Sequence, residues 1–133
     1  MVVKDWCLYT DLYQLKMMQG YFIEGLHQRR ASFDYFFRQT PFKGGYVIFA
    51  GLQDLLNTLT TLQFDSESLA YLKTLGFHTS FLKYLASFQF KGDLVSVKEG
   101  EVVFPGEPLM RVSGSILETQ YIETCLLYTS DAA

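Results

Sequence analysis

The hydrophobic residues between Leu8 and Phe22 recur on two sides of a helix rather than on one. The first stripe consists of Leu8, Leu12, Leu15, Met18 and Phe22. The second stripe lies nearly opposite and consists of Tyr9, Tyr13 and Met17. One stripe can face the core of its own domain, whereas the other needs a neighbouring domain, a second subunit or a flat ligand. The alternative is a helix that is buried all round. Asp11 with Gln14 fits a capping box at its start.

The middle of the chain predicts one strand and three helices. Residues Ala31–Arg38 alternate as a strand with apolar side chains on both faces, which favours a covered strand over an edge strand. Pro41 and the glycines after it predict a loop before a short apolar segment, Tyr46–Ala50. Helical spacing of leucine and phenylalanine then recurs three times, in 52–62, 69–75 and 81–88.

From Gly92 onward the hydrophobic period changes to two. Alternating segments at 93–98, 101–104 and 109–112, separated by Gly- and Pro-containing turns, predict an antiparallel meander. Ser115 then introduces a last helix over 116–127, with Glu118 in its first turn, which we expect to project from the sheet. We therefore expect an α+β fold in which the helices of 52–88 pack on one side of an antiparallel sheet.

Composition supports a globular protein and excludes some partners. Hydrophobic residues make up 49% of the chain and aromatic residues 17%, which is more apolar surface than 133 residues can readily bury alone. The net charge of −3 offers no basic footprint for nucleic acid. No apolar run approaches the roughly 20 residues of a membrane span, so we expect a cytoplasmic protein without a membrane partner.

The sequence holds few groups that suggest catalysis. Cys7, Cys125, His27 and His78 are scattered, which predicts neither a disulfide framework nor a metal site. Lys43-Gly44-Gly45 is the nearest approach to a phosphate-binding loop, but two glycines with one lysine are a weak signal and an ordinary turn explains them better. The residues alone thus indicate an α+β domain with a surplus apolar face.

Three segments, taken in order, give a more specific indication. They read LYTDLYQLKMMQGYF, ASFDYFFRQTPFKGGYVIFAGLQDLL and FKGDLVSVKEGEVVFPGEPLMRVSGSILETQYIETCLL. Together they closely resemble the N-terminal part of nicotinate phosphoribosyltransferase. The resemblance implies that residues 1–127 are its α+β N-terminal domain, truncated before the α/β barrel, and that 128–133 are a non-native tail.

The resemblance also implies an activity for the parent protein. Members of that family form nicotinate mononucleotide from nicotinate and phosphoribosyl pyrophosphate, which is a step of NAD biosynthesis. ATP is a co-substrate, Mg is the required ion, and ATP hydrolysis is coupled to the reaction through a phosphohistidine. They act as homodimers whose active sites lie at the subunit boundary. The barrel residues that would complete the site are not in this sequence, so we expect the chain alone to be inactive and to contain no catalytic residue.

Two residues match substrate-binding positions of the family. Tyr13 matches the tyrosine that stacks on nicotinate from the adjacent subunit, and Arg38 matches a position near the phosphates of the sugar donor. For Arg38 the alternative is a structural ion pair with Asp34 or Asp54. For the whole chain the alternatives are an interaction module that binds a protein through the Tyr9/Tyr13/Met17 face, and a free-standing small-molecule binding domain.

Overall fold

The computed structural model describes the backbone of residues 6–129 and the side chains of residues 7–126. Its helices are α1 (Leu12–Ile23), α2 (Leu52–Thr61), α3 (Ser66–Thr74), α4 (Thr79–Ala86) and α5 (Ile116–Thr129). Its strands are β1 (Arg30–Tyr35), β2 (Val47–Ile48), β3 (Asp93–Ser96), β4 (Val102–Val103) and β5 (Met110–Ser115). Short 3-10 turns occupy Trp6–Leu8 and Pro41–Lys43. The α+β class and the three helices between residues 52 and 88 are confirmed.

The larger sheet has the order β1-β5-β3, with both pairs antiparallel. Val112 of β5 lies between Phe33 and Leu94 on the inner face and is fully buried. The prediction that β1 is covered is wrong, because β1 is an edge strand and most of its residues are exposed. Phe33, one of its apolar residues, is 36% exposed.

The predicted meander is wrong in its pairing, although its three strands are where we expected them. β4 leaves its sequence neighbours and pairs with β2 in a separate two-stranded sheet, with Val47 opposite Val103. The turn before β4 bonds to the segment after β2, since Gly100 N donates to Phe49 O at 2.7 Å and Gly51 N donates to Glu99 Oε1 at 2.6 Å. These bonds draw β4 away from β3, so β3 pairs directly with β5.

Helix α5 lies at the centre of the domain, so the prediction that it projects from the sheet is wrong. It packs against α1, α2, β1 and β5. Leu117, Tyr121 and Ile122 are fully buried, and so is the polar residue Thr119. Burial is possible because the polar groups are bonded: Tyr121 donates its hydroxyl to Cys7 O at 2.7 Å, and Thr119 donates to Ser115 O at 3.0 Å.

A capping box forms at α5 and not at α1. Glu118 N donates to Ser115 Oγ at 3.2 Å, and Ser115 N donates to Glu118 Oε2 at 3.0 Å, which is the reciprocal pattern of a capping box. The box predicted at Asp11 and Gln14 is absent, since the Asp11 side chain makes no capping bond and α1 begins at Leu12. The Gln14 amide is instead buried against α5, where it has other partners.

Gly92 cannot carry a side chain without movement of its surroundings. A Cβ atom there would lie 2.5 Å from the carbonyl oxygen of Ser113 and 2.8 Å from the ring of Phe90. We expect Gly92→Ala to lower the free energy of unfolding by about 1–3 kcal/mol through overpacking. Gly20→Ala in α1 is the control, because a Cβ atom added there would have nothing within 4 Å. We expect this variant to raise the free energy of unfolding by about 0.4–1 kcal/mol. Urea denaturation of both variants measures the difference, and equal midpoints would contradict the expectation.

Candidate functional site

Helix α1 presents an apolar face that the rest of the domain leaves exposed. Its inner side is buried at Leu15 and Met18, whereas Leu12, which was predicted to lie on the same core stripe, is 47% exposed. On the opposite side the exposed fractions are 45% for Tyr9, 53% for Tyr13 and 41% for Met17. The alternative of a helix buried all round is therefore wrong. We refer to Tyr9, Tyr13 and Met17 as the α1 aromatic face.

The hydroxyl group of Tyr13 is fixed although its ring is exposed. Gln14 Nε2 donates a hydrogen bond of 2.9 Å to the Tyr13 hydroxyl oxygen. Local desolvation, followed by the negative charges of Glu123 and Asp11, raises the pKa of Tyr13. The phenol therefore keeps its proton at neutral pH. Its ring face stays available to a flat ligand while its polar end is held at the domain surface.

A cluster of polar side chains lies beneath Tyr13, between α1 and α5. Gln14 Nε2 also donates to Glu123 Oε2 at 3.0 Å, and Gln120 Nε2 donates to both Gln14 Oε1 and, at 3.3 Å, Glu123 Oε2. Thr10 donates to Thr124 at 3.3 Å beside them. Sequence reasoning missed this cluster. Its signal was the spacing of polar residues on the otherwise apolar α5, at Gln120, Glu123 and Thr124.

Arg38 lies in the chain just after β1, and its side chain is exposed. The alternative of a pair with Asp34 is wrong, because Arg111 makes a bidentate pair with Asp34, from Nε to Oδ1 at 2.6 Å and from Nη2 to Oδ2 at 2.8 Å. Those bonds lower the pKa of Asp34. Within the described residues Arg38 forms no ion pair, with Asp54 or with any other carboxylate. No hydrogen bond joins Arg38 to Tyr13 there.

A cleft of about 390 Å³ lies on another part of the domain, between the end of α4 and the start of α5. Arg30, Lys91 and Glu118 supply its charged lining. The Glu118 carboxylate is already used, since Oε1 accepts from Lys91 N at 2.6 Å and Oε2 accepts from Ser115. Glu118 therefore connects the segment just before β3 to the start of α5.

The described residues offer no metal site and no membrane span. Across 6–129, His, Cys, Asp and Glu nowhere gather in a group of three that could hold a metal ion. Over the same part of the chain, every helix is too short or too polar to cross a membrane. The predicted tail at 128–133 lies outside the described side chains, and only the backbone of Tyr128 and Thr129 is described, as the end of α5.

Comparison with known proteins agrees with the sequence motifs. The family model for the nicotinate phosphoribosyltransferase (NAPRTase) N-terminal domain matches residues 8–129. Nicotinate phosphoribosyltransferase of Bacillus subtilis (strain 168) is 46% identical over 121 residues, which are 90% of this chain and 25% of the relative. The chain thus spans about a quarter of the length of the curated relatives it matches.

Solved structures show the same fold. The crystal structure of human nicotinic acid phosphoribosyltransferase superimposes with a TM-score of 0.84 at 33% identity, covering 91% of this chain and 25% of the human chain. Nicotinate-nucleotide pyrophosphorylase from Pyrococcus furiosus superimposes with a TM-score of 0.64 at 15% identity, over 91% of this chain and 24% of that one, which supports the fold alone. Because the family model covers nearly the whole chain, the chain belongs to the nicotinate phosphoribosyltransferase family and contains its N-terminal domain.

Proposed function

We propose that this chain is the N-terminal part of an enzyme that forms nicotinate mononucleotide and pyrophosphate from nicotinate and phosphoribosyl pyrophosphate, coupled to ATP hydrolysis. The observation that carries the proposal is the α1 aromatic face: the ring of Tyr13 is 53% exposed on helix α1, while its hydroxyl group is held by Gln14. The parent enzyme is a cytoplasmic homodimer that serves NAD biosynthesis from nicotinate.

Tyr13 binds the pyridine ring of nicotinate in the active site of the adjacent subunit. An offset-stacked pair of aromatic rings is favourable, and the exposed phenol ring offers such a surface. Packing of α1 against α5, with Gln14, Leu15 and Met18 buried, keeps that surface in a fixed place. The barrel of the parent enzyme supplies the other side of the pocket.

Arg38 binds the phosphates of the sugar donor. A guanidinium group forms bidentate hydrogen bonds with phosphate oxygens. The exposed Arg38 has no carboxylate partner within the described residues, because Asp34 is occupied by Arg111. Its charge is therefore available to an anionic substrate.

The remaining chemistry belongs to parts of the enzyme outside this chain. ATP, Mg²⁺ and the phosphohistidine act in the barrel, and the chain contributes no catalytic residue. The same apolar face would also suit a protein partner, as an interaction module. Membership of an enzyme family favours the substrate-binding role.

The dimeric site can be tested by mixing two variants of the full-length enzyme. One carries Tyr13→Ala, and the other has an intact Tyr13 but a substitution of the barrel arginine that binds nicotinate. Random exchange of subunits in a symmetric dimer makes about half of the dimers hybrid, each with one intact site, so activity should recover to about a quarter of the native value.

Nicotinate mononucleotide formation is measured at nicotinate concentrations well below KM, where the loss of binding in Tyr13→Ala lowers the rate, before and after the subunits are exchanged by mild denaturation and refolding. Each variant, treated alone in the same way, is the control. If Tyr13 acted within its own subunit, every intact barrel would still face an alanine and mixing would restore nothing.

A further inference from the structure

We propose that Gln14 is a positioning residue that holds the Tyr13 ring in its binding orientation and that Glu123 of α5 anchors Gln14 for this purpose. The proposal rests on the function proposed above for Tyr13. It assigns a substrate-positioning role to two residues for which the family resemblance implies none. Gln14 itself does not contact the substrate.

The side chain of Gln14 is the buried link between an exposed ring and the centre of the domain. It is 1% exposed, whereas its neighbour Tyr13 is 53% exposed. Burying an amide group without hydrogen-bond partners costs free energy, and the Gln14 amide has partners on both its nitrogen and its oxygen. Nε2 donates to the Tyr13 hydroxyl at 2.9 Å and to Glu123 Oε2 at 3.0 Å, while Oε1 accepts from Gln120.

Glu123 determines the direction in which Gln14 donates. Its Oε2 atom accepts from both Gln14 and Gln120, so the two amides are oriented towards one carboxylate. With one N–H of Gln14 given to Glu123, the other N–H points to the Tyr13 hydroxyl oxygen. Since α5 is the most deeply buried helix of the described chain, this arrangement links the ring to the core of the domain.

Such a tie matters because the ring must meet a ligand held by another subunit. A tyrosine side chain on a helix surface has more than one allowed rotamer, and each places the ring differently. A hydrogen bond to the hydroxyl selects the rotamer before the ligand arrives, which lowers the entropic cost of binding. The contribution of one hydrogen bond corresponds to about a three- to fivefold change in affinity.

Three variants of the full-length enzyme test the proposal: Tyr13→Phe, Gln14→Met and the double variant. Tyr13→Phe removes the acceptor and leaves the buried amides intact. Gln14→Met removes the donor at similar volume. We expect each single variant to raise the KM for nicotinate about three- to fivefold at unchanged kcat, and the double variant to raise it no further, because both remove the same bond.

A purely structural role for Gln14 gives a different result. Gln14→Met would then lower the melting temperature without a change in KM, and Tyr13→Phe would have a native KM. Additive effects on KM in the double variant would also overturn the proposal. If Gln14→Met does not fold, Tyr13→Phe decides alone: a raised KM supports positioning and a native KM refutes it. Tyr13→Ala distinguishes failure of the proposed function from failure of the positioning proposal. A native KM in that variant would refute the stacking role of Tyr13 itself.

Discussion

The purified 133-residue chain should form no nicotinate mononucleotide, even with nicotinate, phosphoribosyl pyrophosphate, ATP and Mg²⁺ all present. Phosphoribosyl transfer depends on holding the sugar donor and the base in fixed relative positions, and on groups that stabilise the pyrophosphate as it leaves. In the proposed function this chain supplies one ring and one exposed guanidinium group to that task, and it spans about a quarter of the length of its relatives. Formation of the product, followed by chromatography, is the measurement.

The full-length enzyme, assayed at the same molar concentration, is the control. A second control adds the chain to that enzyme, which shows whether the preparation contains an inhibitor. Product formed by the chain alone above the rate without protein would contradict the expectation. It would mean that this chain catalyses phosphoribosyl transfer without the barrel.

Local patterns along the sequence predicted the elements well and their partners poorly. The helices at 52–88 follow from leucine spacing and from local signals such as Asp65, whose carboxylate accepts from Ser68 N at 2.7 Å and caps α3. The position of β4 also follows from alternation. Its pairing with β2 depends on bonds between Gly100 and Phe49, which are far apart in sequence, and no local pattern carries that information.

Helix α5 shows why burial was harder to predict than helicity. We expected this helix to project from the sheet, and no local pattern indicated that its polar residues Thr119 and Gln120 are buried. In the structure both are buried, because Thr119 donates to the carbonyl of Ser115 just before the helix and Gln120 bonds to Gln14 of α1. A buried polar residue is tolerated only where a partner exists, and that partner lies over a hundred positions away for Gln120.

One part of the candidate site could also be predicted from local sequence patterns, and another part could not. The exposed face of α1 was predictable, because Tyr9, Tyr13 and Met17 repeat at helical spacing beside a separate core stripe. The support beneath Tyr13 was not, since Gln14 fits a capping box equally well in sequence. Only the packing of α1 on α5 distinguishes the two uses of its amide.

Replacement of Tyr13 by alanine in the full-length enzyme should reduce kcat/KM for nicotinate about ten- to thirtyfold, corresponding to roughly 1–2 kcal/mol of lost stacking. The effect should be on binding, because in the proposed role the ring contacts the base and not the bond that breaks. From the ring alone, Tyr13→Phe would be nearly silent. Because the Tyr13 hydroxyl is also bonded to Gln14, we expect Tyr13→Phe to raise the KM for nicotinate about three- to fivefold.

Thermal denaturation distinguishes stacking from a structural role for Tyr13. Removal of a buried aromatic side chain from a core costs about 3–5 kcal/mol of stability. Tyr13 is 53% exposed in this domain, so Tyr13→Ala should leave the melting temperature of the subunit nearly unchanged while kcat/KM falls. Met17→Ala, on the same exposed face, is a matched control that removes apolar surface without removing the ring. A large loss of melting temperature with native kinetics in the folded enzyme would show that the ring supports the fold and does not bind nicotinate.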